Sequence, residues 1–166
     1  MKTFKIHIKE SIFDDVEDIV NNDNVLIEQF LKDNYHISGT YVVKNNTVDV
    51  RGDVNVINEK IESLTNGIFR FGTVSGNFDC ADCHKLTSFE GGPEKVSKDF
   101  DCEGCNNLKS LEGAPKEVGG HFNCTYCISL TSLKGAPKEV GGCFDCSNCS
   151  ILKISDQDRK KYKIVT

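Results

Sequence analysis

A 22-residue repeat constrains what this chain of 166 residues can fold into more than any other feature. Phenylalanines recur at that interval, and two columns of cysteines and several columns of leucine, proline and valine keep the same phase. The phenylalanines are Phe78, Phe100, Phe122 and Phe144, and the cysteines are Cys80, Cys102, Cys124 and Cys146, then Cys83, Cys105, Cys127 and Cys149. A unit this short cannot bury its own apolar residues, so successive units are expected to stack on one another.

Each unit is predicted to contain one short strand and a return segment. Phe-x-Cys alternates apolar and polar positions as a strand does, and the leucines that follow are spaced by three. Gly-Ala-Pro at 113–115 and Gly-Gly at 119–120 are incompatible with a helix interior, so the return segment is expected to be extended, polyproline-like or rich in turns. Stacking at about 4.8 Å would place Phe on Phe and Leu on Leu. The sequence therefore predicts a β-rich solenoid of parallel short strands over residues 77–152.

The N-terminal residues 1–40 are predicted to form an α/β cap, because an open solenoid needs a cover for its first core edge. Phe4–Ile8 alternate like a strand, and residues 12–20 carry a helical apolar face. A second helix is expected over about 25–32. The two acidic helices could also dock on a partner or on a second copy of the chain, so the cap is a candidate surface for homo-oligomer formation.

Degenerate repeats are predicted for residues 41–76, where short segments alternate like strands on either side of a turn at Arg51-Gly52-Asp53. Residues 153–166 are predicted to form a C-terminal cap. Within it, Tyr162–Val165 could close the last coil.

The unit Phe-x-Cys-x-x-Cys-x-x-Leu-x-x-Leu-x-Gly-Ala-Pro-x-x-Val resembles a leucine-rich repeat, with Phe and the first Cys at strand leucine positions and the second Cys at the asparagine/cysteine ladder position. Residues 130–142 are similar to short leucine-rich-repeat-like proteins of phages and bacteria. The resemblance covers residues 77–152 and implies a leucine-rich-repeat-like fold. It also implies a phage-encoded inhibitor of a host factor or defence system, acting in the host cytoplasm. Such folds serve many unrelated binding tasks, so no target is implied.

The cysteines allow a structural interpretation and a zinc interpretation. Two consecutive units give Cys-x2-Cys-x18-Cys-x2-Cys, which fits a site of four thiolates, and the alternative zinc ligands are all eight in-phase cysteines. Zinc, however, does not require Phe, Leu, Pro and Val to repeat in register. We therefore favour buried cysteines that pack as small apolar side chains, and we expect no cofactor.

Cys143 stands outside the two cysteine columns and is predicted to point outward, one coil from His121. A Cys-His pair leaves a thiol enzyme as a further alternative. No third orienting group and no oxyanion site accompany the pair, and nucleotide-binding loops are absent from the sequence. We therefore expect no enzyme activity.

Binding is expected at the outward positions of the strands, which differ from unit to unit while the columns stay constant. Acidic residues dominate these positions in the first two units, which favours a protein partner with a basic surface, with His121 and Tyr126 as aromatic anchors. The predicted partner-binding residues are Asp79, Asp82, Asp99, Asp101, Glu103, His121, Asn123, Tyr126 and Asp145. The sequence thus predicts a non-catalytic module for protein–protein interaction.

Charge and hydropathy agree with such a module. The net charge is −5, from 20 basic and 25 acidic residues, so no basic field attracts nucleic acid. No apolar run approaches the roughly 20 residues of a membrane span, and the first residues lack the apolar core of a signal peptide. A cytoplasmic location and no membrane contact are the expectations.

Overall fold

A computed structural model describes the backbone of residues 11–166 and the side chains from residue 22 onward. The predicted strand at Phe4–Ile8 lies outside the described residues. In chain order the elements are α1 (Ser11–Asn34), β1 (Tyr35–Lys44), β2 (Thr47–Val56), β3 (Arg70–Val74), β4 (Phe78–Asp79), β5 (Lys95–Val96), β6 (Phe100–Asp101), β7 (Glu117–Val118), β8 (Phe122–Asn123), β9 (Glu139–Val140), β10 (Phe144–Asp145), α2 (Asp156–Lys161) and β11 (Ile164–Val165). None of the described helices is both long and apolar enough to cross a bilayer.

The repeats form a solenoid with two ladders of parallel strands. Ladder A contains β4, β6, β8 and β10, which pair in register so that each Phe faces the Phe 22 residues away. Ladder B contains β3, β5, β7 and β9 and runs along the return segment. The predicted solenoid of parallel short strands is confirmed. The four coils that begin at Phe78, Phe100, Phe122 and Phe144 are numbered one to four.

Aromatic stacking fills the core behind ladder A. The ring centroids of Phe78 and Phe100 lie 5.5 Å apart with planes 6° from parallel, and those of Phe100 and Phe122 lie 5.2 Å apart at 7°. Phe144 continues the stack 4.8 Å from Phe122. These rings are fully buried, as is Leu108 in the adjacent leucine column. Identical residues therefore pack on one another, as the period predicts.

The hairpin of β1 and β2 joins the two ladders at the N-terminal end. The first half of β2 pairs with β3, and its second half pairs with β4, so one long strand begins both ladders. Its turn is formed by Asn45 and Asn46, both of which have left-handed backbone angles. This is the two-residue hairpin turn that matches strand twist.

The predicted turn at Arg51-Gly52-Asp53 is wrong, because these residues lie inside β2. Gly52 pairs directly with Gly39 of β1, and a Cβ on Gly52 would collide with the carbonyl oxygen of Ser38. Glycine at this position therefore permits close contact between two backbones and does not reverse the chain.

Helix α1 covers the first core edge. Ile27 and Leu31 are buried, and the ring of Phe30 packs edge-on against Phe69 at 5.8 Å. The two predicted helices over 12–20 and 25–32 are one continuous helix. No glycine or proline stands between the two predicted segments, so nothing in the sequence interrupts the helix there.

The C-terminal segment covers the last coil. Helix α2 begins with a capping box between Ser155 and Asp158, and Tyr162 packs on Phe144 with ring centroids 4.8 Å apart. Strand β11 pairs in parallel with β10, which gives the final strand of ladder A a hydrogen-bonding partner. The prediction that Tyr162–Val165 closes the last coil is confirmed.

Replacing Gly52 by alanine should destabilise the fold strongly. The substitution places a Cβ against the Ser38 carbonyl and strains a backbone with φ 150°. Overpacking costs about 1–3 kcal/mol, and a side chain on a backbone with positive φ costs about 1–2 kcal/mol more. Urea unfolding followed by circular dichroism measures the loss.

Gly67→Ala is the matched control, because Gly67 also has a positive φ but has no atom within 4 Å of the added Cβ. It should lose only the conformational part, about 1–2 kcal/mol. Equal losses in the two variants would contradict the close contact at Gly52.

Candidate functional site

The strand face is the outward side of ladder A together with the turn that follows each of its strands. It consists of four columns whose members are 22 residues apart. These are Asn77, Asp99, His121 and Cys143; Asp79, Asp101, Asn123 and Asp145; Ala81, Glu103, Thr125 and Ser147; and Asp82, Gly104, Tyr126 and Asn148. All nine predicted partner-binding residues lie on this face.

The first column forms a hydrogen-bond ladder along the solenoid. Each side chain accepts a hydrogen bond from the backbone N–H of the residue one coil later: Asn77 from Asp99 at 3.1 Å, and Asp99 from His121 at 2.7 Å. The ladder begins at Asp53, which accepts from the N–H of Asn77, and this bond is the main reason that the pKa of Asp53 is lowered. The first column lies in the bend between each ladder B strand and the ladder A strand that follows it. This bend therefore favours side chains with a hydrogen-bond acceptor close to the backbone.

The second column stabilises the turn after each strand. Asp79 Oδ1 accepts from the N–H of Ala81, and Asp101 Oδ1 accepts from the N–H of Glu103, both at 2.9 Å. Asn123 and Asp145 repeat the contact in coils three and four. This is an Asx turn, which Asp and Asn support equally well.

The carboxylates keep one oxygen available for a partner. Among the described residues, Oδ2 of Asp79, Asp99 and Asp101 has no hydrogen-bond partner, because the structural bonds use Oδ1. The ion pairs of the described side chains all lie on the return segments. They are Arg70–Glu94, Lys95–Glu117, Lys116–Glu94 and Lys134–Glu112. The acidic strand face is thus without neutralising cations in the described part of the chain.

Asp101 lies at the centre of this unpaired charge. Burial is the main reason that the pKa of its carboxyl is raised, and the neighbouring carboxylates of Asp79 and Glu103 raise it further. Hydrogen bonds from the Glu103 N–H and from the Asn123 side chain act in the opposite direction. The charged form of Asp101 therefore costs stability, and a cation placed beside it would offset that cost.

The in-phase thiols connect neighbouring coils. The first cysteine of a coil donates to a carbonyl of the next coil, as Cys102 does to Asn123 at 3.1 Å. The second cysteine donates to the carbonyl of the first cysteine one coil earlier, as Cys105 does to Cys80 and Cys127 does to Cys102, both at 3.2 Å. These weak donors satisfy backbone acceptors inside the core.

The sulfurs are distributed along the stack in a way that does not fit the zinc alternative. Zinc requires four ligands around one point, whereas no three His, Cys, Asp or Glu side chains of residues 22–166 converge in that way. The alternative ligands Cys80, Cys83, Cys102, Cys105, Cys124, Cys127, Cys146 and Cys149 are all among those residues. Burial raises the pKa of Cys83 to about 12 and that of Cys146 to about 11, which favours the protonated thiol.

Cys143 and His121 are neighbours in the first column, as predicted. The imidazole Nδ1 of His121 accepts a hydrogen bond from the backbone N–H of Cys143 at 3.0 Å. That bond gives the ring nitrogen the same structural contact that Asp99 makes one coil earlier. Nδ1 is therefore occupied and does not receive the thiol proton in this arrangement.

Two exposed apolar residues of the strand-face turns were missed by the sequence analysis. Tyr126 is 52% exposed, as predicted for an anchor. Ile128, two residues later, and Ile151, in the next coil, are 49% and 52% exposed. The equivalent positions of the other coils carry polar residues, and this difference between coils is the sequence feature that could have identified Ile128 and Ile151. These residues are His84, Asn106 and Ser150 for Ile128, and Lys85, Asn107 and Ser129 for Ile151.

Cys102→Ala should destabilise the protein by about 1–3 kcal/mol, because it truncates a fully buried side chain and removes a donor to Asn123. Urea unfolding measures the effect. Cys143→Ala is the control, since Cys143 is only half-buried and belongs to no in-phase column. It should change stability by no more than about 0.5 kcal/mol.

A zinc chelator should leave the melting temperature of the wild-type protein unchanged, because the thiols bind carbonyl groups. A chelator-induced drop in melting temperature, with stoichiometric zinc in the purified protein, would contradict the structural assignment of the cysteines.

Asp101→Asn should stabilise the protein at neutral pH. The folded-state pKa of Asp101 is raised, so its charged form destabilises the fold above that pKa. As the pH falls through that pKa, the wild-type carboxyl becomes protonated and the difference between the two proteins should shrink. Urea unfolding across this pH range measures it.

Asparagine keeps the Asx turn, as Asn123 does in coil three. The reverse change, Asn123→Asp, adds a carboxylate to the column and should destabilise the protein at neutral pH. A stability difference that does not vary with pH would refute the role of the Asp101 charge.

In comparisons with known proteins, no protein family, no curated protein and no solved structure matches the chain significantly. The resemblance to short leucine-rich-repeat-like proteins therefore stays a prediction based on the residues of the repeat.

Proposed function

We propose that this protein is a non-catalytic binding module that recognises a protein partner with a basic surface through its strand face. The observation that carries the proposal is the separation of charge around the solenoid. The ion pairs of the described side chains use three acids of the return segments, Glu94, Glu112 and Glu117. Among the described residues, Asp79, Asp99 and Asp101 belong to no ion pair. Carboxylates so arranged attract a basic surface and repel nucleic acid.

The rigidity of the face supports this function. Oδ1 of Asp79, Asp99 and Asp101 is held by a backbone N–H, so Oδ2 of each has a fixed direction before any partner arrives. Fixed side chains lose little conformational entropy on binding. A cationic partner would also offset the burial, and the repulsion by Asp79 and Glu103, that raise the pKa of the Asp101 carboxyl.

The resemblance to phage proteins adds a class of partner. A host factor or a protein of a defence system is the first type of target to test, and inhibition is the first effect to measure. Both belong to the proposal and rest on the residues of the repeat.

Neutralising the strand face should abolish partner binding without unfolding the protein. The test variant carries Asp79→Asn, Asp99→Asn and Asp101→Asn, and each asparagine has a precedent in its own column. The control variant carries Glu90→Gln, Glu112→Gln and Glu139→Gln, which removes the same charge from other exposed positions. Affinity capture from cells, quantified by mass spectrometry, compares the two with the wild type.

The wild type and the control should recover the same partner, and the strand-face variant should not. Added salt should weaken the interaction, because exposed charges are screened. Equal loss in both variants would show a nonspecific charge effect, and equal retention would show that the partner binds elsewhere.

A further inference from the structure

The turn after ladder A imposes a left-handed conformation on one residue of every coil. In the first three coils the N–H of that residue donates to a carbonyl of the next coil, as Tyr126 does to Ser147 at 3.0 Å, so the conformation contributes to the stacking. The four residues and their φ angles are Asp82 at 57°, Gly104 at 67°, Tyr126 at 56° and Asn148 at 60°. Gly, Asn and Asp adopt this conformation readily, whereas for a bulky side chain it is an outlier.

Tyr126 gains little packing in return for this strain. Its side chain is half exposed and has no hydrogen-bond partner within the described part of the chain. Ile128 and Ile151 are exposed to a similar degree, and the equivalent positions of the other coils are polar. The solenoid therefore does not require apolar residues at these positions. We call Tyr126, Ile128 and Ile151 the apolar patch.

By strand register, the apolar patch lies on the coils that follow the acidic part of the strand face. By register, Tyr126 stacks on Gly104, the neighbour of Glu103, and Ile128 and Ile151 occupy adjacent positions in coils three and four. Coils one and two thus present mainly carboxylates, and coils three and four present the apolar patch. Two coil spacings of about 4.8 Å separate Asp82 of coil one from Tyr126 of coil three. They make about 10 Å, which an extended segment of about three residues spans.

We propose that the occupant of this combined surface is a polypeptide segment that carries a cluster of Lys or Arg and, about three residues away, an aromatic or aliphatic side chain that packs on Tyr126. This inference rests on the proposed function and specifies the partner of the same face. Charge complementarity selects this occupant over a second copy of the chain. A second copy would bring its own carboxylates to the acidic border of the patch, and the chain has a net charge of −5.

Opposite effects on stability and binding distinguish an anchor from a structural residue. Tyr126→Asn relieves the left-handed strain, so the melting temperature should rise by about 2–4 °C. The same substitution removes the aromatic contact and should weaken binding about tenfold or more. Ile128→Thr should also weaken binding. Val42→Thr is the matched control, because Val42 is 62% exposed but lies in β1, outside the patch.

The test uses the full chain, immobilised for selection from a random 12-residue peptide library. Fluorescence anisotropy then gives the affinity of an enriched, labelled peptide for each variant. We expect enriched peptides to combine two or more Lys or Arg with one aromatic or aliphatic residue. Tyr126→Asn should lose affinity while its melting temperature rises, and Val42→Thr should match the wild type.

The outcomes separate this inference from the proposed function. If neutralising Asp79, Asp99 and Asp101 abolishes binding but Tyr126→Asn does not weaken it, the acidic face stands and the apolar anchor is refuted. If neither change weakens binding, both are refuted. If no peptide is enriched, the inference is refuted, whereas the proposed function depends on the affinity capture described above. Concentration-dependent self-association that Tyr126→Asn abolishes would instead identify a second copy as the occupant and overturn the inference.

Discussion

The in-register stacking of one coil on the next is the constraint on which the rest of this structure depends. Each strand residue of ladder A pairs with the residue 22 positions later, which places Phe100 on Phe78 and aligns every other column. The strands have only two residues each, so no strand is stable alone. Stability therefore comes from the interfaces between coils, where aromatic rings, thiols and corner side chains all make contacts with the next coil.

The sequence was sufficient to predict the interior because the columns repeat in phase. Phe, Cys and Leu at fixed intervals must be buried together, and the structure confirms that they are. The structural role of Gly52 could not be predicted, because it depends on Gly39, which is paired with Gly52 only by the antiparallel register of β1 and β2. Ladder B could not be predicted either, because Lys95–Val96 and its equivalents contain only one apolar residue each.

The exterior was predicted less completely than the core. Asp99 and His121 were identified as outward residues, but their hydrogen bonds to the next coil depend on a corner geometry that no local pattern reveals. The repeat pattern does not indicate Ile128 and Ile151, because both occupy positions that carry polar residues in the other coils. On the strand face, one oxygen of a carboxylate such as that of Asp99 makes a structural hydrogen bond. The other oxygen, and exposed apolar side chains such as Tyr126, stay available for recognition.

The central claim is that a partner binds along the strand face, coil after coil. An NMR titration of the 15N-labelled chain with a selected basic peptide tests it most directly. The account predicts that shifted amide signals recur at intervals of 22 residues, around Asp79, Asp101, Asn123 and Asp145, with the largest changes near Tyr126. Shifts confined to ladder B or to helix α1 would contradict it.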